Sequence, residues 1–166
     1  SGIGGAILAD MLREGCPMPF MAVSDQTLPG WVDSSCLVVA SSYSGNTEET
    51  LAALGEAVGR GCTIAAVTSG GTLKAQADDQ GWPTVNMPGG HPPRSQFGRS
   101  FLGLCTLMHS YDVLSTKDWV QLKHAVASLD GNSAAPRGQA LAKAVERKRP
   151  VLYGHTPIGG MLNHRR

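Results

Sequence analysis

The sequence predicts an α/β fold with a mostly parallel sheet flanked by helices. Two apolar runs, at 36–40 and 62–67, are each followed by a loop rich in Ser, Thr or Gly and then by a segment with helical spacing. Uninterrupted apolar runs of this length are typical of strands buried on both faces of a parallel sheet. The order of strand, loop, helix and strand is that of right-handed βαβ units.

The elements predicted before residue 36 are one helix and one short strand. Segment 6–14 places apolar residues on one helical face, and Gly15 and Pro17 then end the predicted helix. Residues 19–23 (PFMAV) are predicted as a short strand, and the polar stretch 25–35 as a loop with a turn.

The repeated unit occupies the centre of the chain. The run at 36–40 is predicted as a strand that leads into a helix over 47–60, where apolar residues recur at helical spacing. The run at 62–67 is predicted as the next strand, followed by a helix over 72–79. A shorter strand is predicted at 84–87.

The C-terminal part is predicted to be largely helical. The predicted elements after the proline- and glycine-rich loop 88–93 are helices 95–114 and 118–129, a linker at 130–136, a helix at 137–147 and a strand at 150–154. Glycines at 154–160 resemble the glycine-rich start of the chain. We therefore expect a first domain over 1–135 that lacks its first strand, and a linker helix with the start of a truncated second domain over 136–166.

Composition narrows the class of partner. The chain has 166 residues, 42% of them hydrophobic, and a net charge of +1, which gives no electrostatic reason to expect nucleic acid or an anionic membrane. No apolar stretch approaches the roughly 20 residues of a spanning helix. The four cysteines form no CxxC pair and have no zinc spacing, so we interpret them as small buried side chains in a reducing compartment.

The strongest chemical signal is the stretch after the first long apolar run, Ser41-Ser42-Tyr43-Ser44-Gly45-Asn46-Thr47. The predicted strand delivers hydroxyl groups to the N-terminus of a helix, where free backbone amides favour an anion. Three hydroxyls and a glycine predict a phosphate site without a positive side chain. The alternative is that Ser44 or Thr47 only caps the helix, with Glu48 or Glu49 complementing the helix dipole.

The same stretch resembles a known family. S-Y-S-G-N-T-E-E-T after an apolar strand is similar to the phosphate-binding loop of SIS (sugar isomerase) domains, which have a flavodoxin-like fold. Three neighbouring motifs, S-G-I-G-G at 1–5, V-T-S-G-G at 67–71 and P-x-x-x-P-P-R at 88–94, resemble the bifunctional phosphoglucose/phosphomannose isomerases. The similarity runs through essentially the whole chain.

The resemblance implies roles for particular residues. Ser42, Ser44 and Thr47 would hold the substrate phosphate, and Ser1 would stand at the glycine-turn serine that also faces it. Arg94 would stabilise the enediol(ate) intermediate, a role that suits a permanently charged donor. His91 and His155 lie in loops with no partner visible in sequence, and we interpret both as incidental.

The resemblance also implies the reaction and its setting. It implies a cytoplasmic, homodimeric enzyme that converts glucose 6-phosphate or mannose 6-phosphate to fructose 6-phosphate through a cis-enediol(ate), without metal or nucleotide. In this family a glutamate base and a histidine from the partner subunit lie in the second domain, so this chain alone is expected to bind but not to turn over. The alternative is a non-catalytic SIS module that binds a phosphosugar for regulation.

Overall fold

The computed structural model describes residues 2–149 and 151, and it confirms the predicted α/β class. The elements in chain order are α1 (Gly2–Leu12), β1 (Leu37–Ser42), α2 (Glu48–Gly59), β2 (Thr63–Thr68), α3 (Gly71–Gln80), β3 (Thr84–Asn86), α4 (Phe97–Ser110), α5 (Thr116–Ala127) and α6 (Gly131–Val145). A 3-10 turn, Pro93–Gln96, precedes α4. Ser1 lies outside the described residues, as does the predicted strand at 150–154 apart from Val151.

The three strands form one parallel sheet in the order β1-β2-β3. Side chains of β2 alternate between its two faces. Ile64 and Ala66 pack with residues of α2 and α3, whereas Ala65 and Val67 pack with residues of α1 and α4. Because helices cover both faces, every position of the central strand can be apolar, and this explains its continuous apolar run.

The segment predicted as a strand at 19–23 is not one. It is an extended coil in which Met21 is 51% exposed and Val23 is 37% exposed. Among the described residues this segment has no neighbouring strand to which its backbone is paired. Apolar residues favour an extended conformation there, but a strand needs a hydrogen-bonded partner.

The linker predicted at 130–136 is also wrong, because these residues begin α6. The Asp130 carboxylate accepts hydrogen bonds from the amides of Asn132 (2.9 Å) and Ser133 (3.2 Å) and so caps the helix. Pro136 lies inside the helix, which continues through it.

None of the helices in 2–149 is long and apolar enough to cross a membrane.

An apolar cleft runs along the outer edge of β1. Its volume is about 670 Å³, and its walls include segment 18–25 on one side and residues 36–41 on the other. Side chains of α2 and α4, among them Leu54 and Leu104, line its two faces. The cleft therefore lies in the plane of the sheet, between β1 and the extended segment.

The cysteines only partly match their predicted burial. Cys105 in α4 is fully buried, but Cys16, Cys36 and Cys62 are half-buried, and all four are free thiols. Cys36 and Cys62 immediately precede β1 and β2, where the sheet begins and its packing is incomplete. The prediction is confirmed for Cys105 and wrong for the other three.

Burial raises the pKa of the Cys105 thiol to about 11. Because the thiolate is the reactive form, we expect iodoacetamide at about pH 8 to spare Cys105 and to alkylate half-buried Cys16. Peptide mass spectrometry after short labelling measures both sites. Equal labelling of the two cysteines in the folded protein would contradict the burial of Cys105.

Candidate functional site

The carboxyl ends of the three strands meet at one edge of the sheet. The register pairs Ser42 with Thr68 and Thr68 with Asn86, so the loops that follow the strands start side by side. In open α/β sheets this is the edge at which ligands bind. The candidate site is the surface formed by these three loops, which are residues 43–47, 69–70 and 87–92 in chain order.

The first loop, 43–47, is closed by hydrogen bonds that centre on Ser42. The Ser42 hydroxyl lies 2.7 Å from the Thr47 hydroxyl and accepts a hydrogen bond of 3.1 Å from the amide of Gly45. Ser42 is fully buried. In this structure its hydroxyl therefore shapes the turn, and its direct contact with phosphate remains a prediction.

The other two predicted phosphate ligands lie nearer the surface. Ser44 is exposed, and its hydroxyl accepts a hydrogen bond of 3.2 Å from the amide of Asn46. Thr47 is half-buried and stands at the N-cap position of α2, but its side chain makes no capping hydrogen bond. Side-chain capping, the alternative to phosphate binding, is thus not found, and no side-chain cap covers the first-turn amides of α2.

The second loop and the first turn of α3 interlock with the first loop. The side-chain oxygen of Asn46 accepts hydrogen bonds from the amide (2.9 Å) and the hydroxyl (3.0 Å) of Thr72. The amide of Leu73 donates to the carbonyl oxygen of Gly45 at 3.0 Å. Gly45 has φ +70° and Gly71 has φ +69°, and neither leaves room for a Cβ against the opposite loop. Both glycines are therefore required by close contact between the two loops.

Tyr43 connects all three loops. Its carbonyl oxygen accepts hydrogen bonds from the amide (3.0 Å) and hydroxyl (2.5 Å) of Ser69 in the second loop. Its side-chain hydroxyl donates to the carbonyl oxygen of Pro88 (3.0 Å) and accepts from the amide of His91 (3.1 Å), both in the third loop.

Arg94 lies in the 3-10 turn that follows the third loop. Its side chain is exposed. Within residues 2–149 and 151 its guanidinium has no hydrogen-bond or ion-pair partner. The guanidinium is thus available to an anion, and the predicted catalytic role of Arg94 stays a prediction.

The first and second loops can bind an anion only through neutral donors. Segments 41–47 and 68–72 contain no Lys or Arg, so backbone amides and hydroxyls supply the hydrogen bonds. Among residues 2–149 and 151, no three His, Cys, Asp or Glu side chains lie together in a group that could hold a metal ion.

The sequence analysis did not identify Tyr43 and Asn46 as functional residues. Both lie inside the predicted loop, but their partners are 26 to 48 residues further along the chain. A local pattern carries no information about such contacts. The available signal was their position between Ser42 and Thr47 in the predicted loop.

Comparison with known proteins identifies relatives. The chain is 37% identical over 163 residues to the bifunctional phosphoglucose/phosphomannose isomerase of Caldicellulosiruptor bescii, covering 93% of this chain and 48% of that protein. It is 34% identical over 157 residues to the protein of the same name from Thermoplasma acidophilum, covering 95% of this chain and 47% of that protein.

A third relative has a different named activity. The chain is 34% identical over 155 residues to the D-glucosamine-6-phosphate 4-epimerase of Sulfolobus acidocaldarius, covering 92% of this chain and 49% of that protein. No protein-family model matches the sequence. The chain spans about half the length of these curated relatives.

Proposed function

Because this chain belongs to the family of the bifunctional phosphoglucose/phosphomannose isomerases, we propose that its protein interconverts glucose 6-phosphate or mannose 6-phosphate with fructose 6-phosphate. The observation that carries the proposal is the loop from Ser42 to Thr47, which leads into a helix whose first turn has no side-chain cap. That arrangement offers hydroxyls and amides to the one group that all three sugars share. The chain's own part in the reaction is to hold the phosphate and to supply Arg94.

The mechanism that we propose divides the work between the two halves of the protein. Ser42, Ser44, Thr47 and the first amides of α2 bind the phosphate, which places C1 and C2 of the open sugar near Arg94. Arg94 stabilises the negative charge that develops on the sugar oxygens of the cis-enediol(ate). The base and the ring-opening acid come from outside this chain, and the proton moves between C1 and C2 without metal or nucleotide.

The proposed domain division follows the sequence analysis. Residues 1–135 form the first domain without its first strand, and 136–166 contain a linker helix and the start of the second. The cleft beside β1 supports the proposal that the first strand is missing. It is apolar and lies in the plane of the sheet between β1 and the extended segment 18–25, where a further strand could pack. The boundary after residue 135 falls within α6, so this helix belongs to both parts.

The proposed setting is a cytoplasmic homodimer. The support on this chain is two large apolar side chains left exposed in its C-terminal part: Leu129, between α5 and α6, is 77% exposed, and Leu141 in α6 is 66% exposed. Exposed apolar side chains mark a contact with another domain or subunit where they form one contiguous patch, and we propose that these two belong to such a patch.

The full-length protein tests the proposal in a coupled assay with fructose 6-phosphate. We expect formation of glucose 6-phosphate by the full-length protein, whereas the 166-residue chain binds the sugar without converting it. Binding without conversion by the full-length protein would favour a regulatory phosphosugar-binding module. Epimerisation of glucosamine 6-phosphate, without isomerase activity, would instead place it with the Sulfolobus relative.

A further inference from the structure

Hydrogen bonds of the Tyr43 hydroxyl hold the third loop against the end of β1. The tyrosine ring is half-buried and packs against the hydrophobic cluster of α1, β2 and α4. Its hydroxyl uses both its donor and its acceptor capacity on backbone atoms of Pro88 and His91. Packing of the ring therefore fixes the place where the third loop is held.

The main chain at Tyr43 is fixed by other bonds. Its carbonyl oxygen accepts from the amide and hydroxyl of Ser69, and Gly45 donates its amide to Ser42. None of these bonds involves the Tyr43 hydroxyl. Loss of that hydroxyl should release the third loop and leave the fold of the first loop intact.

The backbone from His91 to Arg94 is stiff. Pro92 and Pro93 both have a ring-restricted φ, and Pro92 has φ −58° and ψ 130°. The amide (3.0 Å) and hydroxyl (2.8 Å) of Ser95 both donate to the carbonyl oxygen of Pro92. Because few backbone torsions between His91 and Arg94 are free to change, we expect a displacement of His91 to displace the backbone of Arg94 as well.

We propose that Tyr43 is a positioning residue for Arg94: its hydroxyl sets where the guanidinium stands relative to the phosphate held by the first loop. The proposal rests on the proposed function, in which Arg94 stabilises the enediol(ate). The proposal gives the neighbouring residues Tyr43 and Ser44 different roles. Ser44 binds the phosphate, and Tyr43 aligns the group that acts on the other end of the sugar.

The test is Tyr43→Phe in the full-length protein. Misplacement of a group that acts in the transition state lowers kcat, so we expect a loss of about 10- to 100-fold in kcat with KM changed by less than about two-fold. Arg94→Ala should lower kcat at least as much, but much less in the Tyr43→Phe background, because the two residues act as a unit. Tyr111→Phe at the end of α4 is the matched control and should leave both constants unchanged.

The outcomes separate the two proposals. If Arg94→Ala leaves kcat unchanged, the role of Arg94 in the proposed function is wrong and the positioning role fails with it. If Arg94→Ala lowers kcat but Tyr43→Phe does not, only the positioning role is overturned. Strictly multiplicative effects of the two substitutions would also overturn it, because they would show that Tyr43 acts independently of Arg94.

Discussion

Gly45→Ala is expected to unfold the protein or leave it barely stable. A Cβ on Gly45 would overlap the carbonyl oxygen of Gly70 and lie 2.8 Å from its carbonyl carbon. Both groups are backbone, so no side chain can rotate away. Gly45 also has φ +70°, where an alanine is strained. We expect a loss of at least about 3 kcal/mol in the free energy of unfolding.

Urea denaturation followed by circular dichroism measures this loss, and Gly55→Ala is the matched control. Gly55 lies in the exposed face of α2, and a Cβ there would contact nothing within 4 Å. The same substitution should therefore stabilise the protein by up to about 1 kcal/mol through helix propensity. A Gly45→Ala protein as stable as the Gly55→Ala protein would show that the first and second loops are not interlocked as described.

The elements that could be predicted from sequence are those whose signal is local. The apolar runs at 36–40 and 62–67 became β1 and β2 because a central parallel strand is apolar on both faces. The segments at 19–23 and 130–136 were mispredicted for opposite reasons. The first has the composition of a strand but no paired neighbour, and the second has the composition of a linker but a capping Asp130.

The site could be predicted only as far as its first loop. The positions of Ser44 and Thr47 on the turn between β1 and α2 followed from a strand, a glycine and a helix in sequence. The contacts of Tyr43 with the third loop and of Asn46 with Thr72 depend on how neighbouring strands align. Such alignment is set by tertiary packing, and no spacing rule in the sequence encodes it.

Ser44→Ala combined with Thr47→Ala is expected to weaken sugar-phosphate binding by about 10²- to 10⁴-fold. Each hydroxyl would lose a hydrogen bond to a charged oxygen, and such bonds contribute about 1.5–3 kcal/mol each. Calorimetry with sorbitol 6-phosphate measures the loss, since this ligand keeps the phosphate but has no carbonyl to isomerise.

The controls separate binding from folding. Thr47→Ser keeps a hydroxyl beside Ser42 and should retain nearly all the affinity, because the 2.7 Å contact between the two hydroxyls survives. The double variant should remain folded, since Ser42 still accepts from the Gly45 amide and the Asn46 amide beside Ser44 is exposed. Affinity within two-fold of the unchanged protein, measured on a folded double variant, would mean that the phosphate is held elsewhere. Because the amides of α2 and the Ser42 hydroxyl would remain in that variant, the residual affinity measures what these groups contribute without Ser44 and Thr47.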